Sequence, residues 1–161
     1  MYLQYLEVLV ILLLIVANGF FSMAEIAVVS SRKARLHQWA EEGSKTAKAA
    51  LQLANEPNSF LSTIQIGITL VGILTGAIGG VTVAHWLAKY LAGLPHFGEY
   101  AYSIALGTVV VAVTYLSLVI GELAPKRLAL NNPERIACLV ANTMRTLAVI
   151  ATPVIRLLGF S

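Results

Sequence analysis

Three long apolar runs dictate what this chain can fold into. Leu3 to Val29 is nearly continuous, broken mainly by Gln4, Glu7, Asn18, Ser22 and Glu25. Phe60 to Leu94 carries one full charge, Lys89, and Tyr100 to Ala124 ends against Pro125. About 20 residues at about 1.5 Å each suffice to cross a hydrocarbon core of about 30 Å. Inside hydrocarbon, backbone groups must bond within their own segment, so each run is read as helix. The composition agrees, with 58% hydrophobic and 12% charged residues, against about 25% charged in a soluble domain. The fold class is therefore all-α integral membrane: three transmembrane helices plus amphipathic juxtamembrane helices.

The chain reads as a single transmembrane domain, residues 1–161. The spans are expected at about 3–29, 59–80 and 100–124, with a shorter helix following the second span to about 92. Phe60 to Leu94 is too long for one crossing and too short for two, and Gly79-Gly80 sits in its middle. Gly72, Gly76 and Gly80 recur every fourth residue, a spacing that lets helix backbones approach, within the chain or across a dimer seam. Segment 31–55 is read as two amphipathic surface helices divided at Gly43, with Trp39 at the interface. Segment 133–160 is read as surface-lying in preference to a fourth span, because Arg145 would be costly at a bilayer centre.

Basic residues cluster after the first and third runs (Arg32, Lys33, Arg35; Lys126, Arg127, Arg135). The positive-inside rule then places the N-terminus outside and the C-terminus in the cytoplasm. The first run lacks a basic leader and is read as a retained span, not a cleaved signal. The cations flank apolar runs and do not form a solvated basic face, so lipid headgroups are expected as contacts and nucleic acid is not. Cys138 is the single cysteine and has no partner for a disulfide or a zinc site. None of the common hydrolase, metalloprotease or phosphate-binding motifs occurs, and no enzymatic activity is expected.

The polar residues within the runs carry the functional signal. Asn18, Ser22 and Glu25 fall on one face of the first span. Ser62, Gln65 and Thr69 fall on one face of the second. In "GELAP", Pro125 lacks the N–H that would bond the carbonyl of Gly121, four residues back. That carbonyl and the Glu122 carboxylate lie side by side, where a bound cation offsets the negative helix end. Glu122 alternatively pairs with Lys126 at i+4. The donors are all oxygen, which suits Mg²⁺, Ca²⁺ or Na⁺ over Zn²⁺ or copper.

"NGFFSMAEIAVVS" from Asn18, "NSFLSTIQIGITLVGILTGAIGG" from Asn58 and "GELAPKRLAL" from Gly121 together resemble the transmembrane domain of the CorC/CNNM magnesium transporters, in particular the bacterial CorC branch. The resemblance covers nearly the whole chain. It implies a homodimer in the cell (inner) membrane that exports Mg²⁺, with Na⁺ as coupling ion. It implies metal ligation by Ser22, Thr69, Gly121 and Glu122, with Asn18 and Glu25 in the same motif; Asn18 is expected to complete the shell, and Glu25, Gln65, Pro125 and Lys126 are read as supporting residues. The family also carries a cytosolic pair of nucleotide-binding CBS domains and often a further C-terminal domain. This sequence holds neither, so an isolated membrane domain is expected. Two rivals remain at this level. One is a membrane scaffold or sensor that anchors a cytosolic regulator without transport; the other is a Na⁺- or proton-driven carrier of another substrate.

Overall fold

The computed structural model describes residues 2–93 and 98–159, and among these all regular structure is helical. Three helices are long and apolar enough to cross a membrane: α1 (Tyr2–Ser30), α4 (Pro57–Ile78) and a continuous helix from Ala101 to Asn131. Their large apolar side chains, among them Leu13, Val16, Ile73 and Val111, point outward and stay exposed. That is the arrangement a lipid solvent favours, because no apolar surface need hide from it.

Two of these helices contain a π-turn, a widened turn that inserts one extra residue. α4 runs through Gly79–Val83 into α5 (Ala84–Ala92). α6 (Ala101–Leu118) runs through Val119–Leu123 into α7 (Ala124–Asn131). The residues flanking both turns keep right-handed helical angles. The third span is thus widened, where the sequence reading has it broken, and it continues to Asn131 instead of stopping at Ala124. The physical reason is that the π-turn absorbs the mismatch one residue before the proline: the Ala124 N–H reaches back to the Val119 carbonyl. Pro125 then sits in the first turn of α7, where a missing N–H costs little. α5 packs back on α6, with the His85 and Tyr102 rings edge to face.

At the opposite end lies a belt of α2 (Lys33–Glu41), α3 (Lys45–Asn55) and α8 (Pro133–Gly159). Gly43 separates α2 from α3 with φ +96°, a conformation that side-chain-bearing residues rarely adopt. Ser44 caps α3 by accepting from the Ala47 N–H at 3.2 Å. The belt closes on the ends of α1 and α4 through a core rich in alanine: Ala24, Ala27, Ala50, Ala54 and Ala141 are buried with Leu36, Phe60 and Met144. On α8 the buried residues Glu134, Ala137, Val140, Ala141 and Met144 form one stripe, while Asn142 and Arg145 are exposed. α8 is not one of the membrane-length apolar helices. The side chains of Pro153 and Arg156, and residue His96, fall outside the described residues.

Glu134 is the buried acid of the belt, at 5% exposure. Its Oε1 accepts from the Arg32 N–H at 3.4 Å, and its Oε2 faces the Arg35 guanidinium at 3.7 Å. One carboxylate of α8 therefore caps α2 and ties α8 to the turn after α1. Glu134→Ala should lower the unfolding free energy by about 1–3 kcal/mol, because the Arg32 N–H loses a charged acceptor. Arg35→Ala should cost less than about 1 kcal/mol, since that side chain is 54% exposed. Thermal melts of the two variants check the ranking.

Cys138 lies on the same helix, partly buried and unpaired. Burial pushes its thiol above the usual range; a hydrogen bond with Thr46 opposes this, and the charge of Glu134 adds to it. A raised thiol holds less thiolate, so alkylation by iodoacetamide at pH 8 should be slower than for an exposed cysteine.

Candidate functional site

α1 meets the third span where both backbones are bare. A Cβ on Gly19 would lie 2.9 Å from the Ile120 carbonyl and 3.0 Å from Pro125 Cγ. A Cβ on Gly121 would lie 3.2 Å from Asn18 Nδ2 and 3.4 Å from the Ile15 carbonyl. The two glycines let α1 lie directly against the π-turn. There the Asn18 side-chain amide donates to the Gly121 carbonyl at 3.3 Å. Among the described residues, Asn18 Oδ1 is the one buried side-chain polar atom without a hydrogen-bond partner. An orphaned buried acceptor normally costs about 1–3 kcal/mol, and here it stands beside the Gly121 carbonyl.

Asn18 also borders a cavity of about 310 Å³ between α4 and α6, two helices that make little contact with one another; Gly121 is buried behind it and is not part of the lining. Ile15 and Asn18 of α1 form its back. α4 contributes Val71, Gly72, Thr75 and Gly76; the third span contributes Val113, Thr114, Ser117 and Glu122. Nothing lies within 4 Å of where Gly72 or Gly76 would carry a Cβ. The glycine stripe therefore leaves space here and does not seat a neighbouring helix of this chain. Glu122 is part of the cavity lining, and its carboxylate faces Lys126 Nζ at 3.7 Å, with both side chains more than a third exposed. Such a pair is weak, worth about 0–1 kcal/mol, and leaves the carboxylate available.

Of the residues singled out in the sequence, the structure thus gathers Asn18, Gly121 and Glu122. Ser22 lies one turn along α1, 1% exposed, and is not among the residues lining the cavity. Glu25 lies farther along and is half-buried. Thr69 and Gln65 occupy the exposed side of α4 and do not line the cavity. Phe21 of α1 covers that helix nearby: its ring would meet a Cβ on Gly67 at 2.7 Å. The hydroxyls of Thr75, Thr114 and Ser117 were not anticipated. Thr114, Ser117 and Gly121 follow at i, i+3, i+7, a helical stripe legible in "TYLSLVIGE".

Among the described residues no three His, Cys, Asp or Glu side chains cluster as metal ligands. A cation here would meet one carboxylate and several neutral oxygens, which favours a hard ion. Residues 9–161 match the cyclin M transmembrane N-terminal domain. The chain belongs to the CNNM family. This CNNM domain is 54% identical over 156 residues to a UPF0053 protein of Synechocystis sp., covering 97% of the chain and 35% of that protein. It is 34% identical over 151 residues to the UPF0053 protein YhdT of Bacillus subtilis, covering 92% and 32%. It is 32% identical over 149 residues to the polyamine export protein of Escherichia coli K12, covering 92% and 33%. The CNNM chain therefore spans about a third of the length of these relatives.

Proposed function

We propose that this CNNM domain is the membrane part of a divalent-cation exporter, with Mg²⁺ as cargo and Na⁺ as coupling ion. The observation that carries this reading is the unpartnered Asn18 Oδ1 beside the Gly121 carbonyl, with Glu122 on the wall of the same cavity. Mg²⁺ holds its water tightly and prefers about six oxygens. Six waters occupy about 180 Å³, so a cavity of about 310 Å³ admits the ion with its shell and leaves room to exchange part of it. Ser22 and Thr69 join the ligand set in this proposal only if α1 or α4 turns as the ion loads. The reading also places the protein in the bacterial inner membrane as a homodimer, N-terminus outside and C-terminus cytoplasmic, with a CBS pair in the full-length protein.

A ligand that binds only the folded form stabilises it by about 2.7 kcal/mol at one hundred times its Kd. Mg²⁺ should therefore raise the melting temperature of the purified chain, and proteoliposomes carrying a Mg²⁺-sensitive dye should show flux. A melting shift without flux favours the scaffold or sensor role; neither shift nor flux refutes the ion site. A second reading takes a polyamine as cargo. The cavity runs on into a smaller one of about 100 Å³, an elongated shape, and one relative is named for polyamine export. Against it, Glu122 is the single carboxylate in the lining, where a polyamine would seek several. Spermidine in the same melting assay decides: a shift larger than that of Mg²⁺ favours the polyamine.

A further inference from the structure

The cavity holding Glu122 does not end at the candidate site. It shares Thr75, Gly76, Val113 and Thr114 with the smaller cavity, which continues past Gly79, Val109 and Val110. The two form one track between α4 and α6, running from the π-turn at Glu122 to the π-turn at Gly79. At the waist stands Thr75, 6% exposed. Its hydroxyl donates to the Val71 carbonyl at 2.8 Å, so its proton is committed and its lone pairs are what it can offer the track. The Gly79 N–H is shared between the carbonyls of Thr75 and Gly76. Beyond Thr75 the lining is valine and glycine, with Val109 buried and Val110 half exposed.

We infer that Thr75 and Thr114 form a second cation subsite, through which an ion released from Glu122 passes toward the α5–α6 hairpin. This inference rests on the transport reading. It adds a second binding position along the path and assigns the direction in which the path leaves the first.

The test uses hydroxyl deletion at constant shape. Thr75→Val with Thr114→Val should reduce Mg²⁺ flux in proteoliposomes about tenfold while Mg²⁺ still raises the melting temperature, by less than in the unmodified chain, because the Glu122 carboxylate is retained. Thr75→Ser with Thr114→Ser should restore the flux. In a Cys138→Ser background, Thr75→Cys and Thr114→Cys should each react with a small trimethylammonium thiosulfonate, and Mg²⁺ should slow that reaction. Wild-type flux in the double valine variant, or cysteines that stay unreactive, overturns the subsite while the shift and flux of the unmodified chain keep the transport reading. If the unmodified chain shows neither shift nor flux, the transport reading falls and the subsite with it.

Discussion

Glu122→Gln is expected to erase most of the Mg²⁺-dependent melting shift and to lower Mg²⁺ affinity by about two orders of magnitude. The substitution keeps the shape and one oxygen but removes the charge. Hydrogen bonds and contacts to charged groups are worth about 1.5–3 kcal/mol, and each 1.4 kcal/mol is about a factor of ten. No other carboxylate lines the cavity to compensate. In the absence of Mg²⁺ the variant should melt close to wild type, because the Lys126 partner lost with the charge is 35% exposed and contributes little. Titration of Mg²⁺ against melting temperature separates the two effects. An unchanged shift in Glu122→Gln would remove Glu122 from the site.

Gly19→Val is expected to have the largest effect on the fold itself. The added Cβ meets backbone, the Ile120 carbonyl at 2.9 Å, and the ring of Pro125 at 3.0 Å. Neither can rotate away, so α1 must move off the π-turn. Overpacking of this kind costs about 1–3 kcal/mol, and the displacement also separates Asn18 from Gly121. Both apparent stability and the Mg²⁺ response should fall. Gly67→Ala is the informative control. There the clash is with the tip of the Phe21 ring, a side chain that can swing, so a loss of about 1 kcal/mol with the Mg²⁺ response retained is expected. If the two variants melt alike, the close approach at Gly19 is not what holds the site together.

The spans were legible because apolar run length is a strong signal: α1, α4 and the start of the third span fall within a few residues of expectation. Gly43 as the divider of the belt was legible for a local reason, its place between two amphipathic patterns. Counting back four residues from the proline's missing N–H points to the Gly121 carbonyl, but the bond from the Ala124 N–H to the Val119 carbonyl spans five residues and shifts that count by one. What could not be read was how the helix would respond. A helix either stops at a proline or widens before it, and packing of Gly19 against Ile120 and Pro125 goes with the second outcome. The cavity was hidden for a related reason: Gly72 and Gly76 read equally as contact surface or as empty space, depending on where α6 lies. Thr69 and Gln65 share a face in sequence, but only the arrangement of α1 and α6 decides which face of α4 looks inward. Glu134 was visible merely as a first-turn acid, because its partners Arg32 and Arg35 are about a hundred residues away.

The length of the third helix has an electrical consequence. Glu122 stands nine residues from its end at Asn131 and twenty-one from its start at Ala101, about 14 Å and about 32 Å along the axis. A divalent ion resting there has most of the low-dielectric layer still ahead of it on the hairpin side. Each elementary charge moved across a full membrane potential of 100 mV exchanges about 2.3 kcal/mol. For a divalent cargo the voltage would therefore act mainly on departure along the valine-lined leg, and only slightly on loading from the belt end.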